Sequence, residues 1–276
     1  MIIKNKGEFI MKLIKIIMML FITSFLFAES AYDIMKKANL ASYYQGKDGK
    51  GQMLMKVFAK GSSKPIKKVF YMLRLNIEEG GKQMFFTYFT SPSDIKRTTF
   101  LVHKFIEKDD FRRLYMPASD KVIAIAGSRK QDPFMGSDFS YEDVSGRNIH
   151  HDDHALMEDE SIDNEECYVV ITTPKAEYAK GDKLSKIKAW ISKNDYLPRK
   201  VEYYNKAGEV ISIFTASSIK EISGFPTILK RVMESPLAGT RTELLVNPKG
   251  VAYNIGLDEG VFSERSLKNP PMKYLK

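Results

Sequence analysis

The chain has one cysteine, Cys167, one tryptophan, Trp190, and four histidines among its 276 residues. A single cysteine allows no internal disulfide and excludes zinc sites built on paired cysteines. Also missing are the signatures of much catalysis: a Gly-x-Ser-x-Gly elbow, a Gly-x-Gly-x-x-Gly turn, a Walker loop and a His-Glu-x-x-His helix. There is almost no helical periodicity between the candidate strands, which argues against βαβ units and a parallel sheet. No internal repeat, low-complexity tract or linker-like shift in composition occurs.

The N-terminus carries an address. Lys4, Lys6, Lys12 and Lys15 precede an apolar run from Ile16 to Ala28, and Ala28-Glu29-Ser30 offers a small-x-small cleavage site. A basic region, a short apolar stretch and such a site together predict a secretory signal peptide over residues 1–30. The apolar run is about a dozen residues, short of the ~20 a spanning helix needs. Export follows, with residues 31–276 as one domain. The formal net charge of +9 then points to anionic lipid surfaces or acidic partners rather than to nucleic acid, or to solubility alone.

From Ala31 to Tyr44 the apolar residues Ala31, Ile34, Met35, Ala38 and Ala41 share one helical face. Gly46 and Gly49-Lys50-Gly51 are read as ending that helix. The period then becomes two. Candidate strands cover 53–58, 69–77, 84–89, 99–105, 111–116, 122–125, 155–158, 167–172, 187–192, 198–204, 210–214, 227–234 and 242–246, separated by Gly, Pro, Asn and Asp turns. Met84–Phe89 is apolar on both faces, as expected of a strand packed on one side and lining a cavity on the other. Met53, Met55, Met72, Met84, Met116 and Met135 suit an adaptable apolar surface, or simply fill a core.

Two polar groupings invite chemistry. His150-His151-Asp152-Asp153-His154 has the residue types for zinc or copper, but consecutive side chains diverge on any regular element, so no metal is expected. Asp109-Asp110 and Glu142-Asp143 could be the acid pair of a glycosidase only across a sugar-binding cleft, so no catalytic residue and no cofactor is assigned.

The densest run is Phe134-Met135-Gly136-Ser137-Asp138-Phe139-Ser140-Tyr141-Glu142-Asp143-Val144. It follows neither a strand nor a helix period. Phe134, Met135, Phe139 and Tyr141 surround a Gly136-Ser137 turn, with Asp138, Glu142 and Asp143 alongside. It reads as a lid over an apolar interior, either a movable latch or a fixed plug.

Ser91-Pro92-Ser93-Asp94, Thr99-Phe100-Leu101, Leu114-Tyr115-Met116-Pro117-Ala118 and the Phe134–Asp143 run follow one another in order. Trp190-Ile191 and Tyr196-Leu197-Pro198-Arg199-Lys200-Val201-Glu202-Tyr203-Tyr204 add a second block. The set resembles the outer-membrane lipoprotein-sorting family, relatives of the periplasmic carrier LolA, from the Ala31 helix to Leu267. The resemblance implies a mainly β (α+β) fold: a curved antiparallel sheet, or incomplete β-barrel, with an N-terminal helix and a loop/helix lid enclosing an apolar cavity. It further implies carriage of lipid or lipoprotein acyl chains between membranes, with an inner-membrane transporter of the resistance-nodulation-division type as donor and an outer-membrane acceptor. A monomer is expected. The cavity candidates are Met53, Met55, Phe86, Tyr88, Phe100, Val102, Leu114, Met116 and Trp190, subject to a one-residue register choice that would reverse every face. A transporter-docking adaptor filled by its own side chains is the alternative reading, and an envelope lipid or glycan hydrolase the third. Two departures stand out. Arg97 occupies a position where the family more often has glycine, so the turn there is expected to differ. Arg113 stands where the family often has tryptophan, which bears on the cavity wall.

Overall fold

The computed structural model describes residues 29–179 and 181–275. The expected signal peptide lies, apart from Glu29 and Ser30, outside the described residues. Helix α1 (Ala31–Tyr43) buries Ile34 completely, with Ala31 and Ala38 beside it, and Gly46 turns the chain with φ 64°.

The strands then run β1 (Asp48–Phe58), β2 (Ile66–Asn76), β3 (Gln83–Ser91), β4 (Thr99–Lys104), β5 (Phe111–Met116) and β6 (Lys121–Ala124). After the Phe134–Val144 segment come β7 (Asp152–Leu156), β8 (Glu160–Ile162), β9 (Glu165–Pro174), β10 (Leu184–Ser192), β11 (Pro198–Asn205), β12 (Val210–Ile222), β13 (Phe225–Ser235), β14 (Thr240–Val246) and β15 (Ala252–Tyr253). They form one antiparallel sheet ordered β6-β5-β4-β3-β2-β1-β14-β13-β12-β11-β10-β9-β7, with β15 beside β1 and β8 beside β9. Two meanders are thus joined edge to edge where β1 pairs with β14, Met53 opposite Val246. Among the described residues the sheet does not close; its free edges are β6 at one end and β7, with β8 alongside on β9, at the other. This is the open antiparallel architecture that the two-residue period and the resemblance imply.

Period two decides which side chains share a face. On the inner face of the first meander Met55, Phe70, Phe85, Phe89, Phe100, Val102 and Leu114 form one cluster with Phe134, Tyr141 and Val144. On that of the second, Val170, Ile187, Ala189, Ile191, Val201, Phe214 and Met233 pack with Ile34 and Ala38 of α1 and with Phe139. The outer face of the first meander is buried too. Leu73, Leu75, Phe86, Tyr88, Leu101 and Tyr115 lie under Leu257, Val261, Phe262 and Leu267 of the C-terminal segment. Thr99 Oγ1 donates to Leu267 O at 2.7 Å, and burial of each such apolar side chain contributes about 1.5–3 kcal/mol. That second cover is why Met84–Phe89 is apolar on both faces.

Several local expectations are corrected. Gly49-Lys50-Gly51 does not end the helix but lies inside β1, and β15 runs so close that a Cβ on Gly49 would sit 3.1 Å from Ala252 O. A glycine inside a strand marks this kind of backbone approach. β12 continues to Ile222, well past Phe214, through a polar stretch without the expected alternation. The Phe134–Val144 run holds a 3₁₀ turn (Phe134–Gly136) and a short helix α2 (Tyr141–Ser145). Arg97 takes φ 71°, so the turn keeps the left-handed backbone that glycine would adopt without strain. Arg113 lies on the outer face, its guanidinium 3.9 Å from the centre of the Phe111 ring, and is no part of the cavity wall.

Candidate functional site

Between the inner faces of the two meanders, α1 and the Phe134–Val144 segment lies a cavity of about 330 Å³. Met53, Met72 and Phe85 form one wall, while Ile187, Ala189, Ile191, Val201, Phe214, Leu244 and Val246 form the other. Met35, Ala38 and Tyr43 of α1, with Phe139 and Val144, make the roof. Ligand pockets commonly begin at roughly 300 Å³, and this cavity is of that size.

The roof segment is tied down along its length. Phe134 packs against Phe89, Phe100 and Tyr141 with ring centroids 6.0, 5.4 and 5.6 Å away. Phe134 N donates to Phe139 O at 2.7 Å, closing the Gly136-Ser137 turn, and Lys68 Nζ donates to Met135 O. Asp138 reaches the corner between β13 and β14. Its carboxylate accepts from Ser235 Oγ (2.7 Å), Thr240 Oγ1 and Thr242 Oγ1 (2.6 Å), and its N–H donates to Thr242 Oγ1 (3.0 Å). Ser140 and Asp143 then form a reciprocal capping box that starts α2. The Ser140-x-x-Asp143 spacing in the sequence is itself a capping signal that could have revealed this helix.

Of the nine cavity candidates, Met53 lines the open space. Met55, Phe100, Val102 and Leu114 face inward but are packed beneath Phe134 and Tyr141. Phe86 and Tyr88 point to the outer face, under the C-terminal segment. Trp190 points outward with Cys167, and its Nε1 donates to Glu160 at 2.8 Å. Met116 is 40% exposed at the end of β5. A shift of one residue separates Phe86 and Trp190 from the lining residues Phe85, Ala189 and Ile191, while Tyr88's neighbour Phe89 packs in the filled cluster beneath Phe134. Of the lid residues, Phe134, Phe139 and Tyr141 are buried, whereas Gly136 is exposed with φ 68°.

The cavity is not wholly apolar. Glu142, Asp143, Arg147, Asp152 and His154 lie at one side, and Tyr43, Tyr203 and Arg231 face it as well. Arg147 grips Asp152 with two hydrogen bonds of 2.6 Å and forms an ion pair with Asp182 at 2.8 Å. Burial opposes ionisation of Glu142, but Arg147 and Lys130, the latter at 2.8 Å, hold its carboxyl below the usual range. Burial raises the Asp143 carboxyl from its ordinary 3.8 to about 6, against the pull of its Ser140 hydrogen bonds. Asp143 still keeps some exposed surface because the cavity reaches it. His154 bonds Thr172 Oγ1 (2.9 Å) and Ile149 O (3.0 Å), and His151 stacks on Tyr178. Among the described residues no group of three His, Cys, Asp or Glu side chains converges to hold a metal ion, nor is any helix long and apolar enough to cross a membrane.

An open antiparallel sheet with a helix and a capped lid around an apolar cavity defines the LolA-like class of folds. A family model described only as an uncharacterized protein matches residues 81–269, more than half of the chain, and the chain belongs to that family. Among solved structures it is similar to a DUF1329 family protein from Desulfovibrio piger, at 26% identity and a TM-score of 0.78, over 86% of this chain and 97% of that one. It is similar to a domain from Vibrio parahaemolyticus classed as an outer-membrane lipoprotein-sorting protein, at 27% identity and a TM-score of 0.78, over 86% and 98%. A LolA superfamily protein from Nitrosomonas europaea shares the fold at 18% identity and a TM-score of 0.65, over 86% and 99%. No curated protein matches.

Proposed function

We propose that this chain is a periplasmic carrier, a single domain released from its signal peptide, that holds an acyl chain of a lipid or lipoprotein in the inner cavity. In this reading it moves cargo between inner and outer membrane, receiving it from a resistance-nodulation-division-type transporter and passing it to an outer-membrane acceptor. It carries out no covalent step. The supporting observation is the open volume of about 330 Å³ between two apolar sheet faces. At about 0.8 kcal/mol per methylene, a ten-carbon chain gains roughly 8 kcal/mol. Immobilisation costs at least about 4 kcal/mol of that, which leaves affinity weak enough for exchange.

The adaptor reading draws on a different observation. The inner face of the first meander is filled by Phe134 and Tyr141 rather than left open. One experiment separates the two. The protein is purified from a Gram-negative periplasm, extracted with organic solvent and the extract analysed by mass spectrometry, alongside titration with a fluorescent fatty acid. Co-purified lipid or saturable uptake is expected. Reproducibly empty protein that takes up no probe would sink the carrier reading.

A further inference from the structure

Three arginines face the cavity. Arg147 is ion-paired, and Arg74 donates to Asn76 Oδ1 at 2.7 Å and to Gln45 O. Arg231 differs. It lies on β13 between Ala216 of β12 and Leu244 of β14, and its guanidinium makes no hydrogen bond or ion pair among the described residues. The groups nearest it electrostatically are the phenols of Tyr43 on α1 and Tyr253 on β15. Tyr253 is already bonded to Thr227 and Gln45. The Tyr43 and Tyr203 hydroxyls, both facing the cavity, have no hydrogen-bond partner among the described residues.

Arg231 is half-buried, and an unpaired cation partly withdrawn from water gains from a partner that completes it. A guanidinium presents a planar fork of donors suited to carboxylate or phosphate. Two unpartnered phenols in the same cavity add neutral donors. A cavity of about 330 Å³, at the small end of ligand pockets, suits one chain rather than several.

We propose that Arg231, with the Tyr43 and Tyr203 hydroxyls, forms an anion site inside the cavity, so that the cargo is a single-chain amphiphile bound with its anionic head inward. The head is a carboxylate, as in a free fatty acid, or a phosphate monoester, as in a lysophosphatidic acid. This rests on the carrier reading and narrows it. Glu142 and Asp143 line the same cavity, but Glu142 is paired with Lys130 and Arg147 and Asp143 is bonded by Ser140, whereas Arg231 has no such partner among the described residues.

The test is displacement of Nile red from the purified protein at pH 7.5 by decanoate, decyl phosphate, decanol and decyltrimethylammonium. At least one anion should displace the dye at concentrations tenfold or more below decanol, with the cation weakest. Whichever anion leads identifies the head. Arg231→Met should reduce that advantage to within about threefold while leaving decanol unchanged, and Arg231→Lys should keep part of it. An unchanged or higher melting temperature for ligand-free Arg231→Met is expected, since the variant removes a half-buried charge that has no partner among the described residues. Equal displacement by anion and alcohol in the parent, or an anion preference that survives in Arg231→Met, overturns the anion site and leaves the carrier reading standing. Failure of Nile red and all four amphiphiles to bind overturns both.

Discussion

Replacing Asp138 with alanine should release the roof segment from the β13–β14 corner, and the structure sets the size of the effect. The carboxylate accepts from three hydroxyls, of Ser235, Thr240 and Thr242. Ser235 and Thr240 are partly exposed and can turn to water, so each loses about 0.5–1 kcal/mol. Thr242 is fully buried, and its orphaned hydroxyl costs about 1–3 kcal/mol. The total is roughly 2–5 kcal/mol, or about 4–20 °C in melting temperature for a domain of this length. Urea unfolding followed by Trp190 fluorescence measures it, with Thr242→Val and the double variant completing a mutant cycle. A coupling of about 1–2 kcal/mol between the two sites is expected. A cost under about 0.5 kcal/mol with no coupling would show that the anchor contributes little.

Other consequences can be checked separately. The Asp143 carboxyl is raised in the folded state to about 6, so the native protein holds a proton that the unfolded chain releases near pH 4. Stability should therefore fall as pH rises from about 4 to 6, by up to about 3 kcal/mol. Asp143→Asn should flatten that decline in pH-dependent thermal melts, and an unchanged slope would contradict the shift. Arg97→Gly should raise stability by about 0.5–1 kcal/mol, because glycine takes φ 71° without a Cβ penalty; destabilisation in urea titrations would count against that account. Phe134→Ala, deep in the aromatic cluster, should cost about 3–5 kcal/mol. Phe139→Ala, at the cavity roof, should instead speed Nile red release in stopped-flow dissociation, and equal off-rates in variant and parent would make Phe139 merely structural.

Much of the fold was legible because period-two alternation and turn residues mark a meander whether or not one knows what covers it. The beginning of β1 was not, since glycines that admit β15 look in sequence like glycines that end a helix. The second half of β12, Ala216–Ile222, lacks the alternation that marks the other strands. The site was harder to read. Alternation says that Phe85 and Phe89 share a face, and Phe86 and Tyr88 the other, but not which face is inside. Both faces of β3 are buried, and the outer cover comes from Leu257–Leu267, far along the chain. No local pattern carries that information. Arg231 was hidden for a related reason: in Leu229-Lys230-Arg231-Val232 two cations are adjacent, and only the tertiary fold decides that Arg231 faces the cavity.

The two free edges of the sheet, β6 and β7, are consecutive in the chain, and the stretch between them, residues 125–151, is the one that carries the roof. The arrangement is that of a bow and its string. The sheet is the bent limb, its unpaired edges are the tips, and the aromatic segment is strung between them with its midpoint pinned by Asp138. Spreading the tips to admit a bulkier guest would tension the string and draw on the pin. In such a spreading, cavity width and roof position would change together.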